Sequence, residues 1–196
     1  MKIILLLTLS FSIITVNAQS KVVTVPAEVK PFVEQGSKAI ALESADLNGD
    51  GLKDYILVLE RENPSEKDQS GYPINQRPLL ILVRDKGKKL TAAKHNEKIV
   101  FCSECGGMMG DPFEGVTVGK NTFTINHYGG SALRWSTSYK FNYSRIDKTW
   151  QLVRIQDETF NANDPKKTME RKIKTPPKDF GKVDISDFNP ADYEEK

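Results

Sequence analysis

Residues 133–143 read LRWSTSYKFNY and contain the clearest structural pattern in the chain. Arg134, Ser136 and the polar residues that follow alternate with a mainly apolar set: Leu133, Trp135, Thr137, Tyr139, Phe141 and Tyr143. Successive side chains of a β-strand point to opposite faces, so this pattern predicts an antiparallel strand with one face on the core. We expect residues 150–155 (WQLVRI) to pair with it as a hairpin across Asp147 and Lys148.

Other apolar runs predict further strands on both sides of this hairpin. Residues 55–59 (YILVL) and 79–83 (LLILV) are uninterrupted and typical of buried strands, whereas residues 123–127 (FTINH) alternate. A helical pattern is found only at residues 27–34, before Gly36. We therefore predict a mainly β fold, an antiparallel sandwich or half-open barrel-like sheets, with one short N-terminal helix.

The N-terminus has the features of an export signal. Lys2 precedes an apolar run over residues 3–16, and Val16 and Ala18 are small residues suited to signal peptidase, so we place the cleavage after Ala18. The absence of a cysteine near this point argues against a lipid anchor. We predict a secreted or periplasmic protein with a signal peptide over 1–18, one β-rich domain over 19–160, and an extended polar tail over 161–196 that packs on or trails from the domain.

The charge of the chain narrows the class of partner. The sequence has 28 Lys and Arg residues against 26 Asp and Glu residues, and removal of Lys2 leaves the exported part nearly neutral. No basic stripe stands out, so nucleic acid is not an expected partner. No segment after the signal is apolar enough to span a bilayer. The expected partner is an unknown extracytoplasmic ligand or protein.

The segment DLNGDGLKD, residues 46–54, has the pattern of a calcium-binding loop. Calcium prefers about six to eight oxygen ligands, and oxygen-bearing side chains at alternate positions of a tight loop converge on one point. Gly51 permits the sharp turn. The predicted Ca²⁺ ligands are Asp46, Asn48, Asp50, the backbone carbonyl of Leu52, and Asp54. The alternative is a solvated, Asx-rich turn without metal.

The longer segment DLNGDGLKDYILVL resembles the loops of integrin-type propeller repeats, of the FG-GAP or VCBS-like kind, in which calcium sits between two strands. The loop differs from an EF-hand because Leu57 occupies the position of the bidentate glutamate. The pattern occurs once, whereas a propeller needs several blades. The resemblance therefore implies a calcium loop without implying a propeller.

The only two cysteines, Cys102 and Cys105, are close together in the sequence. A local disulfide is natural in an oxidising compartment, and it is the interpretation that we favour. A redox-active CxxC motif, a zinc site completed by His95 and His127, and free thiols are the alternatives. The surrounding sequence lacks the βαβ pattern of thioredoxin-like proteins.

Residues 102–135 concentrate the side chains that suit a functional site. The candidate pocket consists of His127, Tyr128, Arg134 and Asp111 beside the turn at Gly129 and Gly130. For His127 itself we favour the simpler interpretation, a core histidine that bonds to the backbone. A hydrolase that uses His127 with Asp111 or Glu114 is a further alternative, and the sequence assigns no catalytic residue.

The strings CSECGGMMGDPFEG and FTINHYGGSALRW extend the resemblance. Together with the DLNGDG loop, they are similar to a family of small bacterial secreted proteins that share a paired-cysteine GDPF segment and an HYGGS-x-x-RW strand. The similarity covers about residues 29–154 and implies the export and the fold, without an activity. From these features we predict a calcium-stabilised binding or interaction module; an extracytoplasmic enzyme, either thiol–disulfide or hydrolytic, is the alternative.

Overall fold

The computed structural model describes residues 23–62 and 77–193, which form two antiparallel sheets. The predicted signal peptide and most of the polar segment 61–77 lie outside these residues.

In both sheets the strand order follows the chain order, and neither sheet closes into a barrel. The first sheet contains β1 (Ser37–Ala45), β2 (Asp54–Arg61), β3 (Leu79–Arg84) and β4 (Leu90–Asn96). The second contains β5 (Phe113–Gly119), β6 (Thr122–Gly130), β7 (Leu133–Ser144), β8 (Thr149–Asn161) and β9 (Glu170–Lys174). The predicted mainly β fold is confirmed.

The strand β2 is buried on both of its faces. Ile56 and Val58 belong to the apolar cluster shared by the two sheets, whereas Leu57 and Leu59 pack with Val29 of the N-terminal segment on the other face. An uninterrupted apolar run satisfies both surroundings at once. This explains why residues 55–59 show no alternation in the sequence.

The alternating strand β7 lies at the centre of the second sheet, between β6 and β8. Its predicted hairpin with β8 is confirmed, and Tyr139 lies opposite Ile155 in the register. Phe141 is buried and stacks on Phe123 of β6, with 5.3 Å between the ring centroids. The apolar face of β7 therefore forms part of the core between the sheets.

The predicted N-terminal helix is shorter than expected. Only one 3₁₀ turn forms there, Lys30–Phe32, and the backbone is extended again at Val33. Helices of a few residues are marginal because the first turn is costly to nucleate. The other helical segments of the described residues are also only a few residues long: Gly107–Met109, Pro165–Thr168 and Pro190–Tyr193. No helix among the described residues is long and apolar enough to cross a membrane.

The C-terminal segment after Asn161 packs on the domain. Strand β9 pairs with β8, and Phe180, Ile185 and Phe188 are buried in the cluster between the sheets. Ile185 also donates its backbone N–H to the carbonyl of Trp150. Widely spaced apolar residues in a polar segment thus contribute to the core.

Candidate functional site

The predicted calcium loop connects β1 to β2, and Asp54 ties it to the first sheet. The Asp54 side chain is fully buried. Its two carboxylate oxygens accept backbone N–H groups from Leu47 at 3.0 Å and from Arg84 of β3 at 2.9 Å. Burial raises the pKa of Asp54 above its usual value, and the charges of Asp50 and Asp46 add to that rise, while the two backbone hydrogen bonds oppose it.

The other polar side chains of the loop fold it upon itself. Asp46 accepts the backbone N–H groups of Gly49 and Gly51, at 2.7 and 3.2 Å. Asn48 accepts from the backbone of Asp50, and Asp50 accepts from the backbone of Leu52. Gly51 has a φ of 85°, a conformation that glycine adopts without strain. The sequence pattern therefore produces the tight turn that was predicted.

The loop also joins the two sheets. The backbone N–H of Asn121, in the turn between β5 and β6, donates to the carbonyl of Asp46 at 2.9 Å. Trp150 of β8 donates its indole N–H to the carbonyl of Leu47, also at 2.9 Å. The amide oxygen of Asn121 is buried against Gly49 and has no hydrogen-bond partner among the described residues. The loop is thus a junction between the first and second sheets.

The donor chemistry of the loop suits calcium. The side chains of the loop offer oxygen atoms, which are the ligands that calcium prefers. A carboxylate oxygen that accepts one hydrogen bond still has a lone pair with which it can bind an ion. Burial is the main cause of the raised pKa of Asp54, and a cation would reduce the smaller contribution that comes from the charges of Asp50 and Asp46. In the arrangement described for residues 23–62 and 77–193, no three His, Cys, Asp or Glu side chains are grouped as metal ligands. The calcium site stays a prediction.

Cys102 and Cys105 form a disulfide, as the favoured interpretation predicted. The segment that follows is docked on the hairpin between β6 and β7, because Gly130 donates its N–H to the carbonyl of Gly106 at 2.9 Å. A Cβ atom added at Gly106 would lie 2.1 Å from the carbonyl oxygen of Gly110. Glycine is required at position 106 because the backbone of the same turn passes so close to it. Met108, at the tip of the segment, is 88% exposed.

An ion cluster built around a buried arginine holds the other end of this segment. The Arg77 guanidinium, just before β3, is almost fully buried and bonds to the carboxylates of Glu60 and Asp111. It also donates to the carbonyl of Phe101 at 3.1 Å. Burial raises the pKa of Asp111, but the hydrogen bonds from Arg77 and from the backbone of Phe113 outweigh it and hold the pKa below its usual value. Arg77 was not among the site residues predicted from the sequence.

His127 is a core residue on β6. It is 2% exposed, and its Nε2 accepts the backbone N–H of Phe101 at 3.3 Å. Its ring stacks on that of Phe101, with 4.3 Å between the centroids. Burial and then the nearby Arg77 charge lower the pKa of His127 to about 3, with Asp111 opposing. The histidine is therefore neutral near pH 7, and it supports the position of Phe101.

The four residues of the predicted pocket do not line one pocket. His127 lies on the inner face of β6 and Asp111 is held by Arg77 close to it. Tyr128 and Arg134 lie on the outer face, because neighbouring residues of a strand point to opposite sides. Glu114, which belongs to the hydrolase alternative, is exposed on β5, and His95, which belongs to the zinc alternative, is exposed on β4 beside Glu97.

The structure instead contains a cleft of about 300 Å³ on the inner face of the second sheet, which we call the inner cleft. Its floor spans three strands. In the register, Thr137 of β7, Asp157 of β8 and Lys172 of β9 lie side by side. The walls come from Phe101 and from the C-terminal turn. The lining residues are Phe101, Thr137, Tyr139, Ile155, Asp157, Thr159, Glu170, Lys172, Lys174, Pro190 and Tyr193.

Several contacts fix the groups that line the inner cleft. Thr137 donates its hydroxyl to Asp157 at 2.8 Å. Lys174 donates its ammonium to the carbonyl of Tyr193 at 2.6 Å, which holds the C-terminal turn against β9. The ring of Tyr193 contacts that of Phe188, with 5.4 Å between the centroids. The alternation in residues 133–143 placed Thr137 on the core face of its strand, but the cleft was not predicted from the sequence.

Comparisons with known proteins do not identify a family. No family model and no curated protein matches the chain. A solved structure described as a Xanthomonas type IV secretion system related protein is similar to 74% of this chain, at 18% identity and with a TM-score of 0.37. The chain spans 57% of the length of that protein. A likeness of this size supports no conclusion about function, and membership of the secreted family named above stays a prediction.

Proposed function

We propose that the protein is an exported, calcium-stabilised binding module that holds a small polar ligand in the inner cleft. The observation that carries this proposal is the change in character along the inner face of β7 and β8. Phe141 and Leu152 are buried apolar residues of the core, whereas Asp157 and Thr159 are half-buried polar residues further along the same face. A charged group on an inward face is costly unless solvent or a ligand reaches it.

The size and construction of the inner cleft support the same function. Small-molecule sites typically have volumes of about 300 to 1,000 Å³ and combine apolar walls with a few placed polar groups. The inner cleft lies at the lower end of that range. Phe101 and Tyr193 are fixed by ring contacts to His127 and Phe188. Preformed walls reduce the ordering cost of binding.

The geometry gives less support to the enzyme alternatives. His127 is buried, and one of its nitrogens is occupied by the backbone of Phe101. Asp111, its nearest candidate partner, binds Arg77 with both carboxylate oxygens. A hydrolytic dyad needs a base that reaches the substrate. The cysteines are joined to each other, so neither presents a thiolate in this state.

A ligand screen with a blocking variant tests the proposal. Thr159→Trp would fill the inner cleft, whereas Thr124→Trp places the same side chain on the outer face of β6. We expect a panel of oligosaccharides, amino acids and short peptides, tested by thermal shift and titration calorimetry, to contain a ligand for the native protein and for Thr124→Trp but not for Thr159→Trp. Binding that Thr159→Trp leaves unchanged, or no binding by any class, would overturn the proposal.

A further inference from the structure

We propose that the ligand of the inner cleft is a neutral saccharide, an inference that rests on the proposed function and names its ligand class. Three features of the cleft support this ligand class: the charges that face it, the hydrogen-bonding groups on its floor, and the aromatic rings of its walls. Each of these narrows the chemistry that the cleft accepts.

The charges of the inner cleft are balanced. Asp157 and Glu170 contribute two carboxylates, and Lys172 and Lys174 contribute two ammonium groups. Acidic and basic residues are neighbours in the cleft. Glu170 and Lys172 are two positions apart on β9, and Lys172 lies directly opposite Asp157 of β8. A phosphate or other anion would face the carboxylates, and a cation would face the ammonium groups. The balance therefore favours a ligand without net charge.

The floor of the cleft suits a ligand that carries several hydroxyl groups. A carboxylate accepts hydrogen bonds at about four positions, and an ammonium group donates up to about three. Thr137 uses one of the positions on Asp157, which leaves capacity for ligand hydroxyls. A hydroxyl group donates and accepts at once, so neighbouring hydroxyls of a sugar ring match a floor on which Asp157, Thr159 and Lys172 lie close together.

The walls add a surface for the apolar face of a sugar ring. Saccharides carry hydroxyls around their edge and C–H groups on their faces, and an aromatic ring packs against such a face. Phe101 and Tyr193 line the cleft beside the polar floor. Both rings are held in place, Phe101 by stacking on His127 and Tyr193 by contacts with Phe180 and Phe188. This combination of rigid rings and polar groups favours a saccharide over a purely polar solute.

Titration calorimetry with maltotriose, cellotriose and chitotriose tests this inference, with glycine, glutamate, lysine and tetra-alanine as counter-probes. We expect at least one trisaccharide to bind the native protein. Asp157→Asn, which keeps the shape of the side chain and removes its charge, should weaken that binding at least tenfold. Tyr193→Leu, which removes an aromatic wall, should also weaken it at least tenfold. The control Asp187→Asn changes an exposed carboxylate outside the cleft and should leave the affinity unchanged.

The outcomes distinguish a failure of the saccharide inference from a failure of the proposed binding function. If amino acids or the peptide bind, Thr159→Trp blocks them and the trisaccharides do not bind, the saccharide inference is overturned while the binding function stands. If no probe of any class binds, or if binding is indifferent to Thr159→Trp, the proposed function itself fails. Near-ultraviolet circular dichroism of each variant confirms that the fold is retained before affinities are compared.

Discussion

The indole N–H of Trp150 donates a hydrogen bond to the backbone carbonyl of Leu47 across 2.9 Å, inside the protein. These residues belong to different parts of the fold: Trp150 lies on β8 of the second sheet, and Leu47 lies in the loop that precedes β2 of the first. Both side chains are buried in the cluster between the sheets. The predicted calcium loop is therefore bound directly to the sheet that contains the inner cleft.

Trp150→Phe should destabilise the protein because it leaves the buried carbonyl of Leu47 without its donor. An unsatisfied buried acceptor costs about 1 to 3 kcal/mol, and the smaller ring adds a packing loss. Trp135→Phe, on the half-exposed part of β7, is the matched control and should cost less. Equilibrium unfolding in urea measures both changes. Equal losses for the two variants would contradict the role assigned to the Trp150 hydrogen bond.

Gly49→Ala should cost more stability than Gly51→Ala. Both glycines have a positive φ, at 78° and 85°, so alanine incurs about 1 to 2 kcal/mol of backbone strain at either position. A Cβ at Gly49 would in addition lie 2.6 Å from the amide oxygen of Asn121, whereas a Cβ at Gly51 would meet no heavy atom within 4 Å. Thermal and urea unfolding of the two variants gives the difference between their free energies of unfolding. That difference measures the contact between the loop and the second sheet. Equal losses of stability for the two variants would show that the contact between Gly49 and Asn121 does not restrict which residue fits at position 49.

His127 should make the stability of the protein pH-dependent. Its pKa is lowered to about 3 in the folded protein and is about 6.5 in an unfolded chain. Between these values the unfolded chain binds a proton that the folded protein does not, so the free energy of unfolding falls as the pH falls. The expected slope is about 1.4 kcal/mol per pH unit between about pH 6 and pH 4.

Histidine variants test the source of that slope. His127→Gln removes the titrating group and should flatten the dependence between about pH 6 and pH 5, where few carboxylates titrate. His95→Gln alters the other histidine, which is exposed on β4, and should keep the native slope. Urea unfolding at a series of pH values measures both. A native slope in His127→Gln would show that another group is responsible.

Calcium should raise the melting temperature through the loop. Binding to the folded state alone stabilises a protein by about 2.7 kcal/mol when the free ion is at about a hundred times its Kd, which corresponds to about 5 to 10 °C for a domain of this size. Asp50→Ala removes a predicted ligand and should abolish the rise, whereas the exposed Asp187→Ala should retain it. A chelator should reverse the effect in the native protein. A melting temperature that neither calcium nor the chelator changes would contradict the predicted calcium site.

The sequence predicted those parts of the fold that depend on local pattern. The alternation in β7 and the apolar run in β2 each report the surroundings of a strand, because side-chain direction follows directly from position along it. The buried Phe180, Ile185 and Phe188 were assigned to a polar tail, since isolated apolar residues have no period. Their contribution to the core depends on long-range packing, which a local pattern does not contain.

The candidate site was predicted less completely than the fold, for the same reason. Cys102 and Cys105 are three positions apart, and their disulfide follows from proximity. Arg77 and Asp111 are separated by 34 positions, so their pairing depends on how the two sheets come together. The inner cleft is a stretch of inner sheet face lined by polar groups, and the alternation in β7 identifies the face but not the part of it that lies open.

Chemical-shift mapping of isotope-labelled protein tests the central claim, that a ligand occupies the inner cleft, most directly. On titration with the trisaccharide that binds most tightly, we predict that the largest shifts of backbone amides cluster at Thr137, Asp157, Thr159 and Lys172, and that they disappear in Thr159→Trp. Shifts that cluster on the outer face near Tyr128 and Arg134, or at the exposed tip near Met108, would contradict the claim and place the binding surface elsewhere.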